Sequence, residues 1–157
     1  MMHLRLITVG KLKEQWLRDG YDEYAKRLRR YCQLELVELA EARLSENPSS
    51  AEIAAALDAE GKEILKRCEG KVIAMCIEGK QLSSEQLSQK IDAFSQESGT
   101  LCFVIGSSFG LHDSVKQRAD LRLSMSPMTF THQIARVLLM EQIYRAYQIS
   151  TGGKYHK

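Results

Sequence analysis

No apolar run in this chain approaches the roughly 18 residues that a membrane-spanning helix needs, and its 157 residues contain no repeat, low-complexity tract or linker. The four cysteines, Cys32, Cys68, Cys76 and Cys102, are widely spaced and form no Cys-x-x-Cys pair, so they read as buried free thiols rather than a zinc site or disulfides. No His/Cys/carboxylate set has ligand spacing, and no metal is expected. Gly-x-Gly-x-x-Gly and a Gly-Lys-Ser/Thr ending are also missing, which disfavours Rossmann dinucleotide and nucleoside triphosphate sites. A net charge of only +2 is too small to announce a nucleic-acid partner. Met1 to Arg5 lead directly into a strand pattern, and with no spanning segment the expected location is the cytosol.

What is present is the composition of one globular domain, 44% hydrophobic and 27% charged, spanning residues 1–157. Charge is unevenly spread. Residues 103–157 carry seven basic side chains against three acidic, a net +4. A second cluster, Lys26-Arg27-Leu28-Arg29-Arg30, ends the first helical pattern; it fits either a helix C-terminal dipole or a phosphate-contacting patch.

Alternation predicts strands over residues 4–9, 34–39, 72–77, 101–105 and 121–125, the two central ones as compact apolar runs. Helical spacing falls between them, over residues 12–31, from Ser49 onward, from Ser83 onward, over 113–119 and over 132–149. Ser49 with Glu52 and Ser83 with Gln86 are capping-box signals. The second helix should bury Ile53, Leu57, Ile64 and Leu65. Strands alternating with helices give an α/β fold, a mostly parallel sheet with helices on both faces. The last helix is apolar around more than one stripe, which requires a homodimer interface or a central place in the core.

Two loops at strand ends stand out, because open α/β proteins bind ligands where strand ends and helix starts leave backbone groups unpaired. One is Gly106-Ser107-Ser108-Phe109-Gly110. The other, Ser126-Pro127-Met128-Thr129-Phe130-Thr131, runs into His132. The chain then closes on Gly152-Gly153-Lys154-Tyr155-His156-Lys157. Residues 150–157 have little apolar surface to offset ordering costs of roughly 1 to 2 kcal/mol per residue, so they read as a flexible tail. An aromatic and a histidine there suit base stacking and hydrogen bonding.

Several separated segments together resemble one family: Phe103-Val-Ile-Gly106, Leu123-Ser-Met-Ser-Pro-Met-Thr-Phe130, His132-Gln-Ile-Ala-Arg136, Glu141-Gln-Ile-Tyr-Arg-Ala146 and Tyr155-His156-Lys157, with Thr8-Val-Gly-Lys-Leu-Lys13 and Ile77-Glu-Gly-Lys80. This is the bacterial large-subunit (23S) ribosomal RNA pseudouridine N3 methyltransferases, small members of the SPOUT (α/β-knot) superfamily. The resemblance covers essentially the whole chain. It implies a C-terminal trefoil knot, a homodimer, and S-adenosylmethionine bound among Met75, Gly106 with Ser107, and residues Ser126, Pro127, Met128, Thr129, Phe130 and Thr131. Two positions depart from the family pattern, Ser107 for a second glycine and Thr131 for a proline.

Methyl transfer from a sulfonium needs alignment and exclusion of water more than catalytic side chains. N3 of pseudouridine carries a proton at neutral pH, so a base, or cations that stabilise the anion, should stand nearby. The candidates are His156, Tyr155 and Arg145, with Arg136, Lys154 and Lys157 for RNA contact. Arg145 also has Glu141 at i, i+4, Arg136 could occupy a solvated face, and His132 reads as serving the start of the last helix. The resemblance implies that the tail completes the opposite subunit's site. A catalytically silent RNA-binding or ribosome-assembly module, or a small-molecule methyltransferase, are the rival readings.

Overall fold

The computed structural model describes residues 1–157. Five strands, β1 (Met2–Val9), β2 (Cys32–Leu39), β3 (Lys71–Gln81), β4 (Thr100–Ile105) and β5 (Leu121–Ser124), alternate with helices α1 (Gln15–Leu28), α2 (Ser50–Arg67), α3 (Ser84–Glu97), α4 (Asp113–Arg118) and α5 (His132–Ser150). The strands form one parallel sheet in the order β2-β1-β4-β3-β5. Side-chain alternation at period two divides the core into two layers. Leu4, Leu6, Leu101, Phe103 and Ile73 face α1, α3 and α5, whereas Ile7, Val9, Cys102, Val104, Val72 and Ala74 face α2 and α4.

Local signals set most boundaries. Ser49 accepts from the Glu52 amide while the Glu52 carboxylate accepts from the Ser49 amide, and Ser83 with Gln86 repeats this exchange. Each cap satisfies two amides that a bare helix start would leave unpaired. The buried face of α2 is shifted from the expected one. Ala56, Glu60, Gly61 and Ile64 are buried, while Ile53, Leu57 and Leu65 are only partly covered. Glu60 accepts from the Ala42 amide at 3.0 Å, so the helix turns a carboxylate inward to hold the β2–α2 connection.

Helix α5 packs between α1 and α3 on one face of the sheet. Gly20 of α1 admits Val137 closely, and Ser88 of α3 donates to the Ala146 carbonyl at 2.7 Å. Leu139, Met140 and Ile143 have no exposed surface. They belong to the chain's own core, which answers for much of the apolar excess of this helix. Leu138 remains 39% exposed.

Candidate functional site: a cleft at the strand ends and a clasped tail

Strand β3 does not run straight beside β5. Ile73, Ala74 and Met75 pair with residues 121–123, then the register slips and Lys80 and Gln81 pair with Leu123 and Ser124. Residues 76–79 bulge out of the ladder, which bends a strand and re-aims its side chains. Gly79 is where the strand returns: a Cβ there would stand 2.8 Å from the Arg122 carbonyl. The bulge forms one wall of a cleft of about 710 Å³.

The other walls are the two loops singled out in the sequence. Met75, Gly106, Ser107, Ser126, Met128, Thr129, Phe130 and Thr131 all line the cleft, together with Cys76, Ile77, Glu78, Phe109, Lys116, His132 and Gln133. Pro127 lies in the same loop without lining it. Residues 107 and 110 form an isolated bridge, with the Gly110 amide donating to the Ser107 carbonyl at 2.9 Å. Any side chain at Gly106 would collide with the Gly110 carbonyl. Gly110 takes the positive φ of this turn, at +91°, and no residue other than glycine does so anywhere in the chain. Ser107 therefore occupies ordinary backbone space. Thr131 is the N-cap of α5, its hydroxyl accepting from the Ile134 amide at 3.2 Å.

His132 is the first residue of α5, at the helix start where the sequence places it, and its Nε2 lies 3.3 Å from Glu41. Gln133 accepts from the Lys13 amide at 3.2 Å. Lys116 and Glu78 form an ion pair of 2.5 Å beside the bulge, and the hydrogen bond from Lys116 holds the Glu78 carboxyl below the usual carboxylate range. Burial pushes the Cys76 thiol above its ordinary pKa, so the cleft carries no thiolate at neutral pH.

Arg136, expected at an RNA surface, is instead 1% exposed. Its Nη1 donates to Glu38 at 2.7 Å and its Nη2 to the Gly10 carbonyl at 3.0 Å. The guanidinium is sequestered because it neutralises a carboxylate and ties the first turns of α5 to the ends of β1 and β2. Burial pushes the adjacent Tyr21 hydroxyl up to about 12, against the pull of Arg136.

The tail also differs from expectation. Tyr155 and His156 are half-buried on their own chain, against α1, α3 and α5. The Tyr155 hydroxyl lies 3.0 Å from Glu141 Oε1 and 3.2 Å from the Tyr24 hydroxyl, and its ring meets Tyr144 edge-on with centroids 4.9 Å apart. Arg145 lies over the Tyr155 ring at 4.7 Å, donates to Glu141 at 2.6 and 3.0 Å, and reaches His156 Nδ1 at 3.1 Å. Burial first, then the bonds to Tyr24 and Glu141, raise the Tyr155 pKa, so the phenol stays protonated. Lys154 and Lys157 are exposed. The physical reason for the seating is aromatic: Tyr24, Tyr31, Tyr144 and Tyr147 form a platform that the apolar count of residues 150–153 does not register.

Cleft and tail cluster share α5 but do not meet. Gln133 and Arg145 are about 18 Å apart along its axis at a rise of 1.5 Å per residue. Of the residues predicted for the site, the structure gathers one group at the cleft and another at the tail. Glu85, Tyr24 and the bulge at 76–79 were not singled out; Glu141 was, by its i, i+4 spacing to Arg145, and that pair forms at 2.6 Å.

An open parallel sheet with a ligand-sized cleft at its strand ends defines an α/β protein built to hold a small molecule. The family model described as "Predicted SPOUT methyltransferase" matches residues 2–156. The protein named "Ribosomal RNA large subunit methyltransferase H" of Clostridioides difficile (strain 630) is 48% identical over 99% of this chain and 100% of its own length. The protein of the same name from Bifidobacterium adolescentis is 49% identical over the same shares. Among solved structures, a probable methylase family protein from Haemophilus influenzae Rd KW20 shares the fold, with a TM-score of 0.56 at 14% identity, covering 99% of this chain and 71% of that one. The chain belongs to the SPOUT methyltransferase family, and it is a methyltransferase. No helix is long and apolar enough to cross a membrane.

Proposed function

We propose that this protein transfers a methyl group from S-adenosylmethionine to N3 of a pseudouridine in large-subunit (23S) ribosomal RNA, working as a homodimer on the ribosome in the cytoplasm and without a metal. The observation that carries the reading is the cleft. Its volume lies within the roughly 300 to 1,000 Å³ of small-ligand sites, and Gly106 keeps one wall clear of side chains. Backbone groups of 106–107 and 126–131 would hold the cofactor's polar parts, while Met75, Ile105 and Leu123 supply apolar surface. Once bound, the cofactor supplies an electrophilic methyl group. The chain's own contribution is alignment and exclusion of water. Exposed Met128 and Phe130, at 73% and 40%, are placed to cover a ligand in the cleft.

The reading assigns Arg145, Tyr155 and His156 to the substrate base and Lys154 and Lys157 to RNA phosphates. Lys26, Arg29 and Arg30 are exposed at the end of α1, whose Tyr24 touches Tyr155, so they extend the same basic surface. Because cleft and tail stand apart on one chain, a second copy would supply the tail that completes each cleft, with the exposed Leu138 at the subunit contact. Residues 1–157 form a single domain on this reading, and the tail adjusts its seating when RNA arrives. The knotted threading of the segment after β5 belongs to the same proposal.

The test is transfer of labelled methyl groups from S-adenosylmethionine to stripped 23S RNA, isolated large subunits and assembled ribosomes, with the product nucleoside identified by mass spectrometry. Methylpseudouridine from ribosomal substrate is the expected product. Cofactor binding without methylation of any RNA would favour a small-molecule acceptor, and no cofactor binding would favour a silent RNA-binding module.

A further inference from the structure

The C-terminal histidine stands between an acceptor and a donor that cannot exchange roles. His156 Nε2 is 2.6 Å from Oε1 of Glu85, in the first turn of α3, and Nδ1 is 3.1 Å from Nη1 of Arg145 on α5. A guanidinium has N–H donors and no acceptor, and an ionised carboxylate only accepts. Nδ1 must therefore offer its lone pair to Arg145. The ring proton must sit on Nε2 and point at Glu85. The hydrogen bond from His156 is also the chief reason that the Glu85 carboxyl lies below its ordinary range, which keeps it ionised as the acceptor. Glu141 accepts from Nε and Nη2 of Arg145, leaving Nη1 aimed at the imidazole.

We propose that Glu85 is a positioning residue, which fixes His156 as the neutral Nε2–H tautomer and, through it, clasps the C-terminal tail against α3 and α5. The clasp joins residues far apart in the chain, from α3, α5 and the tail, and the neighbouring Tyr155 shares Glu141 with Arg145. In the seated ring neither nitrogen has a lone pair free for a proton. While the ring stays seated, His156 orients the tail and is not the group that takes the proton from N3. This inference rests on the reading of the tail as the substrate-facing part of the site, and names the residue that sets its geometry.

Glu85 also has a plainer use, since a carboxylate in the first turn of a helix is favoured by the helix dipole. The two uses ask for different things. The dipole wants the charge, whereas the clasp wants an acceptor at that position. Glu85→Gln removes the charge and keeps an acceptor; Glu85→Ala removes both.

The test uses the full chain and two readouts. Nitrogen-15 resonances of the His156 ring, assigned with His156→Gln, should show Nε2 protonated and Nδ1 bare in the wild type and in E85Q, and a mixture of tautomers in E85A. Methylation of ribosomal substrate should follow: kcat/KM for RNA falls about 10- to 100-fold in E85A, the worth of one hydrogen bond to a charged group, through a raised KM, while E85Q stays near wild type. Cofactor affinity should not move. A wild-type ring protonated on Nδ1 or on both nitrogens at neutral pH would overturn the proposal. So would unchanged His156 resonances in E85A, or E85Q and E85A behaving alike. A wild-type protein that methylates no ribosomal RNA would instead sink the functional reading, and the ring resonances would still decide the clasp.

Discussion

The two ends of α5 solve opposite problems. At its start, residues 131–136 are fixed by backbone and burial: a threonine cap, Gln133 on the Lys13 amide, and an arginine enclosed between Glu38 and the Gly10 carbonyl. At its far end, Glu141 and Arg145 hold a short tail by side-chain hydrogen bonds and tyrosine edges, partly open to water. The first end is anchored by the buried Arg136 and lines the cleft. At the second, Ile143 and Ala146 stay in the core, and only the clasped tail, partly open to water, can rearrange at modest cost. On the proposed reading, two arginines nine positions apart on one helix have unlike duties, stability for Arg136 and substrate for Arg145.

The sharpest way to break this comparison is to remove the tail. Deleting residues 154–157 is expected to leave cofactor affinity unchanged and to lower methylation of ribosomal substrate by orders of magnitude, with a small drop in melting temperature from the lost Tyr155 packing; calorimetry and methyl-transfer assays read these separately. Next in size is Arg136→Ala. Glu38 is open to water, so the loss is that of a charge-assisted hydrogen bond on a buried guanidinium and should cost about 1.5 to 3 kcal/mol in urea unfolding, with binding losses that merely track the unfolded fraction. Arg145→Ala should do the reverse, with little loss of stability and a strong loss of turnover. A stable, RNA-defective Arg136→Ala protein would contradict the division of labour.

Much of the fold was legible because its determinants are local. The capping serines sit three residues from their partners, and the compact apolar run of β4 needs nothing but its own sequence. The cleft-lining loops were legible by position, as strand ends that open onto a helix. What escaped depends on distant chain. The bulge at 76–79 exists only because β5 pairs with β3 twice out of register. Arg136 has the pattern of a surface residue until Glu38, from another element, closes over it. Glu85 meets His156 across 71 residues of sequence, and no spacing announces such a pair.

Two smaller effects sharpen the contrast. Ser107→Gly should leave cofactor affinity within about threefold, less than one neutral hydrogen bond's worth, because Ser107 has no positive φ to relieve. A large gain on titration would mean the serine obstructs the cleft. Glu78, lowered by Lys116, contributes to the cleft only while ionised. That contribution is present above the ordinary carboxylate value of 4.5 and is lost as pH falls through the lowered value in the folded protein. Cofactor affinity should therefore be flat through neutral pH and weaken only in acid, and a break near neutrality would point to another group.

Separation of cleft and tail along α5 makes subunit complementation the most direct measurement of the account. A tail-deleted protein is mixed with Gly106→Trp, which blocks the cleft and keeps the tail, and subunit exchange is verified before methylation of ribosomal substrate is assayed. If each site joins the cleft of one chain to the tail of another, two inactive proteins will regain activity in proportion to the heterodimers formed. No recovery despite proven exchange would place the tail at its own chain's cleft and contradict the two-chain site.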